Sequence, residues 1–61
     1  MSDKDDAILE FAFRAYVNMV SAERRAKVYE RDYIKFRDAA IEAGVADALW
    51  DRIAEENDRN G

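Results

Sequence analysis

Stepping by four and three from Ile8, the chain meets Ala12, Ala15, Met19, Ala22, Ala26, Tyr29, Tyr33, Phe36, Ala40 and Ala43, an apolar series without a gap over five heptads. A stripe of this period is the mark of a helix that lays one side against another helix. Between Ser2 and Ala43 there is neither Gly nor Pro, and Ala, Glu, Arg and Lys predominate, so local chemistry supports helix throughout. The constant phase favours a single long helix over about residues 3–43, roughly 60 Å at 1.5 Å per residue. The alternative is a three-helix bundle with a break near residues 18–22, because Asn18 and Ser21 favour turns and Ser21-Ala22-Glu23-Arg24 resembles a helix start.

The ends of the stripe carry stop and start signals. Ser2 is placed to cap the long helix, with Asp3, Asp5 and Asp6 where the helix dipole favours acids. Gly44 can adopt the left-handed conformation that closes a helix, with Val45 folding back onto Ala40 and Ile41. A turn over residues 44–46 then leads to a short helix of about residues 47–57, opened by Asp47, whose inner face is Ala46, Leu49, Trp50, Ile53 and Ala54. The tail Asp58-Arg59-Asn60-Gly61 is expected to fray. The expected fold is therefore all-α: residues 1–61 as one domain, a helical hairpin of one long and one short helix. Ile34, Ile41, Leu49, Trp50 and Ile53 are the residues expected to hold the hairpin together, with Trp50 as its anchor. Tyr29 and Tyr33 lie in the stripe and need hydroxyl partners wherever they are buried.

The two halves of the long segment differ. From Ala7 to Val20, eleven of fourteen positions are apolar, and Glu10, Arg14 and Asn18 form one narrow polar line. A terminal helix of about 11 residues spans only about 16 Å, enough to cover the second half but not the first. Leu9, Phe11, Phe13, Tyr16, Val17 and Val20 would then stay open, an upper estimate of roughly 9 to 18 kcal/mol of unrealised burial at about 1.5 to 3 kcal/mol each. A second copy of the chain is the simplest cover, so the sequence predicts a homodimeric helical bundle. Its self-association or partner interface comprises Ile8, Leu9, Phe11, Ala12, Phe13, Ala15, Tyr16, Met19 and Val20.

Composition removes most chemistry. The chain has 61 residues with no His and no Cys, so the usual general base, the thiolate nucleophile and the common zinc ligands are all missing. No catalytic residue, cofactor or metal site is expected; Asp3-Lys4-Asp5-Asp6 lacks the Gly and distal Glu of a calcium loop. Ala7–Val20 is too short and too interrupted to cross a bilayer, and the acidic start is unlike a secretory signal, so the expected location is the cytoplasm.

Charge leaves two further features. Arg24, Lys27, Arg31 and Lys35 line up opposite the apolar stripe, able to meet phosphates or an acidic partner, although Glu23 is spaced to pair with Lys27, and Glu30 and Asp32 dilute the field. Asp47, Asp51 and Glu55 recur every four residues on the short helix, and residues 39–61 hold six acids against two bases. Such a face can imitate a phosphate backbone, yet a solvated outer helix face is the more ordinary explanation. With 14 acids against 10 bases, the net charge of −4 weighs against general nucleic-acid affinity. The expectation is a small non-enzymatic interaction or regulatory protein, in the manner of phage or bacterial accessory proteins that modulate a host macromolecule. The alternative is a nucleic-acid-linked regulator, either a weak RNA or DNA binder or an acidic mimic.

Overall fold

The computed structural model describes residues 2–60, Asn60 through its backbone alone; Gly61, the end of the tail expected to fray, lies outside the described residues. The described chain is all-α, with α1 over Asp3–Ser21, α2 over Ala26–Glu42 and α3 over Ala46–Asn60. Ser2 opens α1 as expected: its backbone is extended and its side chain accepts a hydrogen bond from Asp5 N at 3.2 Å. At the other punctuation point Gly44 has φ of +77°. Its N–H donates to Ile41 O at 3.1 Å while Val45 N donates to Ala40 O at 2.9 Å, the paired bonds that satisfy the last carbonyls of a helix ending on glycine. Val45 folds into the core beside Ala40, whereas Ile41 is 50% exposed. The third helix continues through Asp58 and Arg59, residues expected to fray.

The single helix over residues 3–43 does not form. The chain leaves helical geometry at Ala22, which is extended with φ −78° and ψ 129°, and re-enters it at Ala26. Asn18 and Ser21, the turn-favouring residues, stay inside α1, so the break falls just beyond them. Its direction is plain from ring contacts. Phe11 stacks on Phe36 with centroids 5.5 Å apart and Tyr16 meets Tyr33 at 5.8 Å, so α1 and α2 run antiparallel. Arg52 reaches Glu10 and Asn57 reaches Tyr16, which sets α3 parallel to α1. The result is an up-down-up bundle whose longest dimension is 34 Å, about half the length of the continuous helix.

The physical reason for the reversal is burial. A straight helix holds Leu9, Ala12 and Ala15 away from the rest of its own chain; the turn brings them under α2 and α3, where they are 7%, 0% and 6% exposed. One cluster joins Leu9, Ala12, Ala40, Val45 and Leu49, with Ile8, Phe13, Phe36, Ala48 and Ile53 packed against it. Ile8, Ala12, Phe36 and Ala40 all belong to the heptad stripe, so this part of the stripe packs within the chain's own core, while Ala26 and Ala43 stay exposed.

Leu49 is the one large side chain, among those described, that is fully buried. Leu49→Ala is expected to lower unfolding free energy by about 2 to 5 kcal/mol, most of what a domain this small possesses. A Cβ at Gly44 would meet nothing within 4 Å, so Gly44→Ala should cost only the backbone penalty, about 1 kcal/mol. Thermal and denaturant unfolding of the two variants checks the ranking.

Candidate interaction surface

The nine residues assigned to an interface on α1 divide once the helix is folded back. Leu9, Ala12 and Ala15 belong to the chain's own core, and Ile8, Phe13, Tyr16 and Met19 are half-buried. Only Phe11 and Val20 remain open, at 53% and 60% exposure. The expectation that α3 falls short of this half is thereby corrected: chain reversal moves α1 within reach of a helix that could not have followed it along a straight rod.

The cover over Phe13 is polar on its outer side. Arg52 places its guanidinium 4.4 Å from the Phe13 ring centroid and pairs through Nη1 with Glu10 at 3.0 Å. Glu10 also takes Arg14 Nε at 3.5 Å, one helical turn away. Beside this group, Glu10, Phe13, Arg14, Val17, Asn18 and Arg52 line an open cleft between α1 and α3. Next along, the Tyr16 hydroxyl donates to Asn57 Oδ1 at 3.1 Å. These contacts act as an amphipathic lid: the Arg52 stem and Tyr16 ring cover apolar surface while their polar ends stay wet.

Of the residues assigned to the hairpin, Leu49 is buried and Ile53 packs on the core, but Ile34, Ile41 and Trp50 face outward at 39%, 50% and 47% exposure. Trp50 is therefore no anchor; Leu49 fills that role, because one step along a helix turns the side chain by about 100°. Tyr29 and Tyr33 are half-buried, Tyr33 lying between Tyr16 and the Arg37 guanidinium, whose carbon is 6.0 Å from its ring centroid. Arg37 Nη2 also donates to Asp38 Oδ1 at 3.3 Å.

The outer face of α2 is where charge and exposed apolar area coincide. Lys27, Arg31 and Lys35 are all exposed on it, and Arg24 is exposed in the turn before it. Lys27, Glu30, Arg31 and Ile34 line a shallow groove. Glu23 lies in the non-helical connection, so the spacing that would pair it with Lys27 on a continuous helix is not realised. The same face continues past Ile34 to Asp38, Ile41 and Glu42, all exposed. That acidic continuation was legible in the sequence at four- and three-residue steps from Lys27, but it escapes notice when the bases are read as a feature by themselves. On α3, Asp47, Asp51 and Glu55 are exposed as an outer face. Among the described residues no group of three or more His, Cys, Asp or Glu is disposed to hold a metal ion, and no helix is long and apolar enough to cross a membrane.

The Phe13–Arg52 contact should be separable from the Glu10–Arg52 pair. A double-mutant cycle with Phe13→Leu and Arg52→Gln is expected to give a coupling of about 0.5 to 1 kcal/mol, nearly unchanged by added salt. The half-exposed Glu10–Arg52 pair should give no more than about 1 kcal/mol and lose it on screening. No known protein family, curated protein or solved structure matches the chain.

Proposed function

We propose that this protein is a non-enzymatic interaction module of the cytoplasm that self-associates as a helical homodimer and through its surface binds and modulates another macromolecule. The observation that supports the reading is an inversion of apolar residues. Among the described residues three of the six in the buried core are alanine, while Phe11, Val20, Val28, Ile34, Ile41 and Trp50 lie 39% to 60% exposed. Large apolar side chains left outside while alanines fill the interior mark a surface that gains by being covered. Folding back has sheltered much of α1, so the driving force for association is smaller than a straight rod would supply. A reversible homodimer fits better than an obligate one.

A nucleic-acid-linked role is the second reading, supported by the exposed Lys27, Arg31 and Lys35 on one helix face and, in its inverse form, by the exposed Asp47, Asp51 and Glu55. Phosphate contact must weaken steeply with salt. The acids Asp38 and Glu42 on the same face as the bases make the second reading the weaker one.

Sedimentation equilibrium from micromolar to millimolar protein should show mass rising from one chain, 7.1 kDa, toward two. A mass fixed at one chain over that range would end the homodimer reading. A gel shift with RNA or DNA at low salt that disappears at moderate salt would promote the second reading over the first.

A further inference from the structure

We infer that the homodimer forms through the outer face of α2, two copies meeting antiparallel about a two-fold axis that passes between Ile34 and Lys35. The inference rests on the self-association reading above and names its surface. Along α2 at four- and three-residue steps run Lys27, Arg31, Ile34, Asp38 and Ile41, with Lys35 and Glu42 on one flank, every one of them exposed. The bases Lys27, Arg31 and Lys35 occupy the first part of the row and the acids Asp38 and Glu42 the second. Within a lone helix this block order sets Lys27–Arg31, Arg31–Lys35 and Asp38–Glu42 as like-charge pairs at the four-residue spacing where side chains adjoin, offset only in part by Lys27–Glu30 and Lys35–Asp38 at three.

The same order becomes favourable when a second α2 is laid end over end against the first. That operation exchanges Lys27 with Glu42 and Arg31 with Asp38, so these two bases each face an acid of the partner copy and each contact occurs twice, while Lys35 falls beside the axis and meets no acid across it. Ile34 meets its own symmetry mate at the centre, and Ile41 comes to rest beside the aliphatic stem of the partner's Lys27. Parallel pairing would instead set base over base and acid over acid. A self-complementary patch is what a two-fold interface requires, and the groove lined by Lys27, Glu30, Arg31 and Ile34 supplies the recess into which the partner's row fits. Asp38 already receives Arg37 Nη2, but a carboxylate has lone pairs to accept a second guanidinium. The contact is small. Seventeen residues make a helix of about 25 Å, so the buried area falls below the 1,200 Å² or so of a stable complex. Charge thus fixes orientation and partner choice more than strength.

The test uses Arg31→Glu and Asp38→Arg in the full chain. Alone, each variant sets like charges opposite one another and should weaken dimerisation tenfold or more. Mixed in equal amounts the two are fully complementary: the acid introduced at position 31 of one copy faces the base introduced at position 38 of the other, and the unchanged Asp38 of the first faces the unchanged Arg31 of the second. A heterodimer of near wild-type affinity is therefore expected, and the double variant should recover homodimerisation. The wild-type dimer should also dissociate more readily as added salt shortens the Debye length to about 3 Å. Circular dichroism confirms that each variant keeps its helices; should either lose them, Lys27→Glu and Glu42→Lys put the same question at the outer pair. If the single variants dimerise like wild type, or their mixture gives no heterodimer, the α2 face is wrong while self-association stands. If wild type itself remains a single chain at millimolar concentration, both fall.

Discussion

Everything in this fold depends on a small core in which alanine takes half of the buried places among the described residues. Ala12 and Ala40 are both fully excluded from solvent within the cluster. A single methyl at each site takes little space between α1 and α2, and Leu49 from α3 and Val45 join the same cluster. The arrangement buries little per residue. While alanines occupy the interior, Phe11, Ile34 and Ile41 lie at its edges and on its outer face. The exposed apolar area is thus the other face of the same constraint that lets so short a chain form three helices.

The parts of the fold that local chemistry controls were legible. Ser2 caps α1 and Gly44 closes α2, because an oxygen one turn ahead of free N–H groups, and a residue without a Cβ at positive φ, satisfy backbone groups irrespective of what lies elsewhere. The break over residues 22–25 was not legible in that way. Ser21, Ala22, Glu23 and Arg24 offer no compulsory stop, and Arg25 at the start of α2 makes no side-chain capping bond. What ends α1 is the tertiary gain from covering Leu9, Phe13 and Tyr16, an energy that resides in α2 and α3 and has no local sequence signature. Six large side chains without cover on a straight rod do demand a solution. Their number is the same whether the cover comes from a second copy or from the same chain.

The heptad stripe shows why the two solutions look alike from sequence. A seam that would zip two long helices together also zips one helix to itself when the chain reverses midway, so Ile8, Ala12, Phe36 and Ala40 converge in either case. Periodicity identifies which side of a helix is inward but carries no information about which molecule it meets. The candidate surface was legible to a comparable degree. Arg31 and Ile34 share a groove, and the basic row faces outward, as its place opposite the stripe implies. Its completion by Asp38 and Glu42 becomes meaningful only when α2 is known to be a separate 17-residue helix with ends of its own. On a rod of about 40 residues no centre of symmetry would be singled out.

The order of charges along the outer row of α2, with Lys27 and Arg31 before Asp38 and Glu42, also runs against the helix dipole. Lys27 sits in the first turn of α2, which holds no acid, and the last turn holds no base, whereas the dipole favours acids at the start and bases at the end. Were the isolated helix the only consideration, exchanging the two blocks would improve it at both ends and leave the neighbouring like-charge contacts no worse. Such a consistent local disadvantage is informative because it arises on an exposed face, where no packing demand from the core can account for it. An antiparallel partner removes the conflict in one step: each helix brings its acidic end to the positive end of the other, so side-chain charges and helix dipoles are neutralised together.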